Sequence, residues 1–378
     1  MSESTTVLLA GGGTGGHIFP NAAVLERLHE SGAEVRGDIR GHFVLSRRAL
    51  DGQIAAKLGV AYTGIAAEPF GVRPGALWRF ARGFRAGKRE VAELIERSGA
   101  RVMVATGGFV SGPAVRAARE AGVVVALVNL DAVPGRANAW LAGQVDKVFS
   151  VYAHRSLPGA ERIGLPLRRA AVRADVTQDD AREGLGLSRA RRTLLVTAGS
   201  QGAVSVNRAM MALCDRPAVR EALRQRWQVL HLAGEKQREE VASAYEAAGV
   251  SATVLAFCDQ MGLAWRAADL AVTRAGAGSV AEAWANRVPS VFLPYPYHKD
   301  EHQRLNAQPM ADAGGAVVVR DAVEPAANVA ALAPLLEPLL ADDAKRAAMR
   351  EALDRDPPPD GADAVTAWIR ATPAFRAL

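Results

Sequence analysis

The segment Thr5–Pro20, TTVLLAGGGTGGHIFP, decides the fold of this chain. Its part Thr6–Ala10 is a short apolar run with β-branched residues, which predicts a buried strand. Five glycines interrupted by Thr14 follow, His17 stands at the tip of the turn, and helical spacing of apolar residues begins after Asn21. A strand, a glycine turn and a helix in this order place bare backbone N–H groups at the positive end of a helix, where anions bind.

A single glycine turn is also typical of a plain tight turn with a solvent-facing histidine and of a dinucleotide site. Similar loops recur at Thr106–Pro113 (TGGFVSGP), Ala198–Ala203 (AGSQGA) and Arg274–Ser279 (RAGAGS). Each follows an apolar run that is typical of a strand. A nicotinamide site is disfavoured because no acidic residue clearly ends a second strand, where it would hold a ribose.

The length of 378 residues and the alternation of apolar and helical segments predict two α/β domains with parallel sheets. We predict a first domain over residues 1–165, a second over 166–356, and a C-terminal helix at about 357–378 that crosses back to the first. Val148–Val151 is predicted as the last strand of the first domain and Arg162–Arg169 as the connection, with helix breaks at Pro334 and Pro338. Two such sheets facing each other would enclose a cleft lined with amide donors.

Composition narrows the class of protein. The net charge of +6 favours an anionic partner, whether a phosphate ligand, an acidic lipid or a nucleic acid. Cys214 and Cys258 fit no metal spacing and are predicted to be buried, reduced thiols of a cytosolic protein. The sequence MSESTT predicts no signal peptide, and no apolar stretch of about 18 residues predicts a transmembrane helix.

The segment Phe70–Arg89 interleaves aromatic and cationic residues without any acid. Its residues of interest are Phe70, Arg73, Trp78, Arg79, Phe80, Arg82, Phe84 and Arg85. This mixture suits an interface with anionic lipids. An ordinary surface helix with its aromatics packed inward accounts for it equally well, and no nucleic-acid fold signature supports a third interpretation.

The motifs GGGTGGHIFPNAAV, GGFVSGP, AGSQGAVSVN, ADLAVTRAGAGSVAE and HKDEHQRLNA, in this order, resemble those of the MurG-type glycosyltransferases. The resemblance implies a GT-B fold and an inverting transfer of N-acetylglucosamine (GlcNAc) from UDP-GlcNAc to the undecaprenyl-pyrophosphate-linked muramyl peptide, lipid I, giving lipid II in peptidoglycan synthesis. It implies no cofactor, no metal, no nucleic acid, and a peripheral location at the cytoplasmic face of the inner membrane.

The resemblance also assigns residues. The loop facing the acceptor diphosphate would be formed by Gly13, Thr14, Gly15, Gly16, Gly107, Gly108 and Ser111. The donor side would be formed by Arg168, Ser200, Gln201, Gly202, Asn207, Phe257, Cys258, Met261, Gly276, Ala277, Glu282, His302 and Gln303. Among these, Phe257 and Cys258 would hold the uracil, Glu282 the ribose and Gln303 the sugar.

Departures from the family pattern cluster around the sugar and acceptor. Phe109 replaces a tyrosine, Leu165 an asparagine, and His302 a glutamine found in some members. The family segment His-Glu-Gln-Asn is 128–131, VNLD, in this chain, so Asn129 and Leu130 replace a glutamate and a glutamine and the acid moves to Asp131.

For catalysis we expect His17 to act as the base, since an imidazole titrates near neutral pH, and Asp131 to be the second candidate. Two alternatives remain open at this point. One is a related UDP-sugar transferase with a different lipid or natural-product acceptor, and the other is a UDP-sugar-binding protein without turnover.

Overall fold

The computed structural model describes residues 5–30, 39–172, 175–199 and 202–376. The chain divides into two compact units, and each is described by itself. Unit 1 consists of Met1–Arg168 and Pro359–Leu378, and unit 2 of Arg169–Pro358. The predicted boundaries at 165 and 356 lie within a few residues of these divisions.

Unit 1 is built on a parallel sheet of seven strands in the order β3-β2-β1-β4-β5-β6-β7. The strands are β1 (Thr5–Ala10), β2 (Ile39–Ser46), β3 (Ala61–Ile65), β4 (Val102–Ala105), β5 (Val124–Asn129), β6 (Lys147–Ser150) and β7 (Glu161–Arg162). The helices between them are α1 (Gly15–Glu30), α2 (Ala49–Leu58), α3 (Pro74–Ser98), α4 (Ser111–Glu120) and α5 (Arg136–Leu141).

Unit 2 is built on a parallel sheet of six strands in the order β10-β9-β8-β11-β12-β13. The strands are β8 (Arg192–Thr197), β9 (Trp227–Leu232), β10 (Ala252–Leu255), β11 (Leu270–Thr273), β12 (Ser290–Phe292) and β13 (Ala316–Val318). Its helices are α6 (Gln178–Gly184), α7 (Val204–Leu213), α8 (Pro217–Arg226), α9 (Arg238–Ala247), α10 (Met261–Ala267), α11 (Ala277–Ala285), α12 (His302–Asp312), α13 (Pro325–Ala341) and α14 (Asp343–Arg355).

Each sheet has one point where the strand order reverses. It lies between β1 and β4, where Ala10 pairs with Ala105, and between β8 and β11, where Thr197 pairs with Thr273. Right-handed crossovers on the two sides of such a point cover opposite faces with helices and leave a crevice at the carboxyl ends of the central strands. All four glycine loops of the sequence follow these four strands, so each sheet brings two of them together.

The chain returns to unit 1 through α15 (Gly361–Ala371) and α16 (Pro373–Arg376). Helix α15 packs on α1, and the buried Arg27 of α1 binds Asp360 at 2.9 Å. The backbones cross closely where this segment arrives. A Cβ atom on Gly164 would lie 1.8 Å from the Pro359 carbonyl oxygen, and one on Gly361 would lie 1.8 Å from the Gly164 carbonyl oxygen.

Two expectations about elements were wrong. Strand β7 follows the predicted last strand of the first domain and contains Arg162, which was assigned to the connection. Helix α13 runs unbroken through Pro334 and Pro338. Both prolines lie away from its buried leucines, so the carbonyls that lose a partner face the outer side, where water can bind them. Helix α3 begins at Pro74, so Phe80 and Phe84 are helical.

No helix within the described ranges is both long and apolar enough to cross a lipid bilayer.

Candidate functional site

The first glycine loop is held by a buried acid that the motif did not reveal. Asp51, in the first turn of α2, accepts hydrogen bonds from the Gly13 amide at 2.8 Å and from the Ser46 hydroxyl at 2.6 Å. Gly13 has φ +90°, and a Cβ there would lie 2.7 Å from the Phe109 ring. The Gly13 amide is therefore engaged within the protein, which leaves the amides of Thr14, Gly15 and Gly16 at the start of α1 as the donors for a ligand.

The second glycine loop lies directly against the first. A Cβ on Gly108 would be 2.7 Å from the Gly12 carbonyl oxygen, and both Gly107 and Gly108 have positive φ, +106° and +77°. Ser111 is buried, and its hydroxyl accepts from the Gly107 amide at 3.1 Å and donates to the Gly107 carbonyl at 2.7 Å. Ser111 thus holds the shape of the loop, and its hydroxyl is turned inward.

His17 lies between these two loops and is half-buried. Its Nδ1 atom is 3.3 Å from the Thr14 hydroxyl. Burial lowers the pKa of His17 below its ordinary value, and the nearby Asp131 carboxylate opposes that shift only in part. The imidazole is therefore neutral at pH 7, which is the form that can accept a proton.

Asp131 follows a network of amides at the carboxyl end of β5. The Asn129 side-chain amide donates to the Asp131 carbonyl at 2.8 Å and to the Ser150 hydroxyl at 3.0 Å. The side-chain amide of Asn138 in α5 donates in turn to the side-chain oxygen Oδ1 of Asn129 at 3.2 Å. The Asp131 carboxylate lies near enough to His17 to oppose the lowering of the imidazole pKa.

Unit 2 contains a cavity of about 640 Å³ at the carboxyl ends of β8 and β11. Gly202, Gly276 and Gln303 line it, and Ala277 begins α11 beside it. Gly202 has φ +71°, and a Cβ there would lie 2.2 Å from the Ala233 carbonyl oxygen, so only glycine fits. Ser200 and Gln201, which were assigned to the diphosphate site, lie outside the described residues.

The cavity is also lined by residues that the motifs did not single out, including Arg208, Arg274, Tyr295 and Tyr297. Arg274 is nearly buried and binds Asp321 at 2.6 Å and the Ser205 hydroxyl at 2.8 Å. Burial would raise the pKa of Asp321, but hydrogen bonds from its neighbours, among them Ser205 and Asn328, hold that pKa below its ordinary value. This ion pair fixes the guanidinium of Arg274 beside two loops rich in amide donors.

Asn207 does not face the cavity. It is fully buried, and its amide donates to the Ala233 carbonyl at 2.8 Å and to Gln237 at 2.9 Å, while its carbonyl oxygen lies 3.0 Å from His231 Nε2. His231 also contacts the Tyr245 hydroxyl at 3.0 Å, and burial lowers its pKa to about 3. Every polar atom of the Asn207 side chain is thus used inside unit 2, so this residue supports the loop from below.

Glu282 on α11 is half-buried, and its carboxylate accepts a 2.7 Å hydrogen bond from the Trp265 indole of α10. That bond fixes the direction of the carboxylate. On the turn before α10, Phe257 is 46% exposed whereas Cys258 is buried, and burial raises the pKa of the Cys258 thiol. Met261 is the first residue of α10.

Two further donor-side residues have partners of their own. His302 Nδ1 lies 2.8 Å from an Asp300 oxygen, and its ring stacks on that of His298 at 4.3 Å. Arg168 falls within unit 1, where its guanidinium lies 4.7 Å from the Phe19 ring of α1. It was predicted to belong to the second domain.

The segment Phe70–Arg89 is partly exposed and partly packed. Phe70, Val72, Leu77 and Trp78 are 53%, 82%, 46% and 61% exposed. Phe80 and Phe84 are half-buried in a row of ring contacts that runs from Phe70 to Trp140. Of the arginines Arg73, Arg79, Arg82 and Arg85, none forms an ion pair with a residue that the structure describes.

No group of three or more His, Cys, Asp or Glu side chains in the described part of the chain is arranged to hold a metal ion.

Comparison with known proteins gives a consistent result. The model of the glycosyltransferase family 28 N-terminal domain matches residues 7–150, and that of the family 28 C-terminal domain matches residues 193–364. The chain is 37% identical to a protein of Clavibacter sepedonicus named UDP-N-acetylglucosamine–N-acetylmuramyl-(pentapeptide) pyrophosphoryl-undecaprenol N-acetylglucosamine transferase, over 98% of each chain. It is 38% identical, with the same coverage, to a protein of that name from Clavibacter michiganensis.

The fold resembles the crystal structure of MurG from Acinetobacter baumannii, with a TM-score of 0.73 and 23% identity over 98% of this chain and 100% of the other. The fold predicted from the motifs, two Rossmann-like domains of the GT-B class, is thereby confirmed.

Proposed function

This chain belongs to the family of UDP-N-acetylglucosamine–N-acetylmuramyl-(pentapeptide) pyrophosphoryl-undecaprenol N-acetylglucosamine transferases, and from that premise we propose the roles of its two units. The enzyme transfers GlcNAc from UDP-GlcNAc to the lipid-linked muramyl peptide, converting lipid I into lipid II. Unit 2 binds the donor, and the paired glycine loops of unit 1 bind the acceptor diphosphate.

The observation that carries this proposal is the 640 Å³ cavity of unit 2. Its volume lies within the roughly 300–1,000 Å³ of ordinary ligand sites. Two glycine loops and the start of α11 supply amide donors, and Arg208 supplies positive charge, which together suit a diphosphate. Glu282, held by Trp265, suits a pair of ribose hydroxyls.

The reaction we propose is an inverting displacement at the anomeric carbon. Neutral His17 removes the proton of the acceptor hydroxyl as the hydroxyl oxygen attacks the anomeric carbon. The bond between that carbon and the UDP oxygen breaks, and UDP leaves. The leaving UDP gains negative charge, which amides and arginines fixed in advance stabilise without a cofactor or a metal. Asp131 is the group that stabilises the resulting imidazolium.

The test is UDP release from UDP-GlcNAc with and without lipid I. We expect rapid release only with lipid I, and a product containing one added GlcNAc. Release with other polyprenyl acceptors but not lipid I indicates a related transferase with a different acceptor. That alternative is favoured by one observation, the buried Asn129 at the position of the family's glutamate. Donor binding with no release under any condition indicates a binding protein.

We further propose that α3 docks the enzyme peripherally on the cytoplasmic face of the inner membrane. Its acceptor is anchored by a polyprenyl chain, and α3 offers exposed apolar residues beside four arginines that lack an acidic partner among the described residues. Each such cation contributes about 1 kcal/mol near an anionic surface, and the apolar contribution is not screened by salt.

Cosedimentation with anionic vesicles tests the docking. We expect binding to weaken about tenfold or more when Leu77 and Trp78 are both changed to Ser, because both side chains are exposed. Phe80→Leu is the matched control, since Phe80 packs between Phe70 and Phe84. Equal vesicle binding by the native protein and the double variant contradicts the proposal.

A further inference from the structure

Unit 1 also contains a cavity, and its glycine loops do not line it. It has a volume of about 330 Å³ and lies where β6 and β7 end. Its polar lining comprises Ser150, Tyr152, His154, Arg155 and Arg162, and Leu157 contributes to the apolar part. None of the residues that line it, all of them described, is acidic.

The cationic side chains of this cavity are available to a ligand. Arg155 and Arg162 are exposed, and neither forms an ion pair with any residue in the described ranges. The acid next to Arg162 in sequence, Glu161, binds Lys147 at 2.6 Å instead. Two guanidinium groups without acidic partners therefore border one cavity.

His154 adds a third donor. Its Nδ1 atom accepts a hydrogen bond from the Ser156 amide at 3.2 Å and lies 2.8 Å from the Ser156 hydroxyl. An accepting Nδ1 requires that the proton sits on Nε2, which then donates. Two arginines and an imidazole N–H form a donor set that suits a carboxylate or a phosphate.

The cavity adjoins the proposed catalytic centre. Ser150 in its lining accepts from the same Asn129 amide that donates to the Asp131 carbonyl. The Asp131 carboxylate lies close enough to both His17 and Tyr152 to favour protonation of each: it opposes the burial that lowers the pKa of His17, and it adds to the burial that raises the pKa of Tyr152. Only a few side chains, among them Asp131 and Tyr152, therefore separate the candidate base His17 from this cationic cavity.

We propose that this cavity binds a carboxylate of the acceptor's peptide, so that Arg155 and Arg162 recognise the peptide part of the muramyl unit. The inference rests on the proposed function. In muramic acid the peptide is carried by a lactyl ether on carbon 3, next to the hydroxyl of carbon 4. When the carbon 4 hydroxyl is held at His17, the peptide on carbon 3 therefore lies in the region around His17. A cavity of about 330 Å³ is at the lower end of ligand-site volumes and suits a short peptide segment.

The first experiment measures binding to the full chain without turnover. The probe is lipid-free N-acetylmuramyl-pentapeptide, compared with the same molecule whose carboxylates are capped as amides. We expect the native protein to bind the carboxylate form roughly tenfold more tightly. The double variant Arg155→Gln/Arg162→Gln should lose that preference, whereas Arg155→Lys/Arg162→Lys should retain part of it.

Arg101→Gln is the matched control. Arg101 is also exposed in unit 1 but precedes β4, at the opposite end of the sheet, so the substitution removes one positive charge away from the cavity. It should keep the preference for the carboxylate form. An equal loss in this control, or an unchanged preference in the Arg155/Arg162 double variant, overturns the proposal. Binding of inorganic phosphate that depends on Arg155 and Arg162, without any preference between the two peptide probes, also overturns it.

The second experiment uses turnover with a lipid-linked acceptor. The double variant should raise the KM for the acceptor roughly tenfold, with kcat and the KM for UDP-GlcNAc unchanged. A protein that binds the peptide carboxylate through these arginines but transfers no GlcNAc would contradict the proposed function and not this inference. If the native protein and the double variant both transfer GlcNAc with the same KM for the acceptor, only this inference is contradicted.

Discussion

The two glycine-rich centres of the molecule use the same backbone device with different side chains. In unit 1 the loops enclose a neutral imidazole, and the acid Asp51 already occupies one loop amide. In unit 2 the loops border a cavity of about 640 Å³, and the guanidinium of Arg274 in its lining is fixed by Asp321. The comparison teaches that a glycine loop supplies only amides, and that the residues beside it decide whether it serves proton transfer or charge stabilisation.

The largest effect that separates the two centres is expected for His17→Ala. Loss of the base should lower kcat by about 10²–10⁴-fold, whereas donor affinity, which belongs to unit 2, should stay unchanged. Because the pKa of His17 lies below 6.5, the acid limb of the native pH–rate profile should also lie below pH 6.5. Steady-state kinetics and titration calorimetry with UDP-GlcNAc provide the measurements.

If His17→Ala keeps the native turnover, His17 is not the base that takes the proton. If Asp131→Asn abolishes turnover in the same assay, Asp131 is the base instead.

Gly202→Ala tests the backbone of the donor centre. The new Cβ would meet the Ala233 carbonyl, and the residue would keep φ +71°, so unfolding should become easier by about 2–5 kcal/mol. Gly199→Ala is the matched control, because Gly199 has φ +84° but, apart from its chain neighbours, no described residue has an atom within 4 Å of its Cβ position. Its cost should be only about 1–2 kcal/mol. Denaturant unfolding measures the change in the free energy of unfolding for both variants. Equal changes would show that the approach of the new Cβ to the Ala233 carbonyl does not destabilise the protein.

Glu282→Ala should weaken donor binding by about 1.5–3 kcal/mol, because hydrogen bonds to a charged group are lost. Trp265→Phe keeps an aromatic ring but removes the indole N–H that holds this carboxylate, and should cost about 0.5–1.5 kcal/mol. Calorimetric titration with UDP-GlcNAc checks both values. Native affinity in Glu282→Ala would exclude the ribose role.

The last expected effect concerns pH. Folded His231 has a pKa of about 3, against about 6.5 when unfolded, so it contributes stability that is fully present above pH 6.5. As the pH falls from 6.5 toward 3, unfolding should become easier by about 1.4 kcal/mol per pH unit. His231→Gln should flatten this slope in urea titrations, while the acid limb of catalysis, set by His17, should remain. An unchanged slope would locate the titrating group elsewhere.

The sequence predicted both parallel sheets and all four glycine loops, because buried strands and φ-positive turns leave local signatures. It did not predict that Asp51 would hold the first loop or that Asp321 would fix Arg274, since these partners are distant in the chain and only folding brings them together. Asn207 was assigned to ligand binding from its motif, but its hydrogen bonds to Ala233 and His231 turn it inward. Strand β7 was missed because its ladder has only two residues.

The crossing of Gly164 and Gly361 has a consequence for synthesis on the ribosome. Residues 359–371 include α15, which packs on α1, yet they emerge after all of unit 2. The first unit to be made is therefore the last to be completed, and Val24 and Leu28, whose carbonyls accept from Thr366 and Arg370, stay less protected until then. During that interval the nascent chain exposes apolar surface that a chaperone can bind, and truncation within α15 should leave unit 1 aggregation-prone while unit 2 folds.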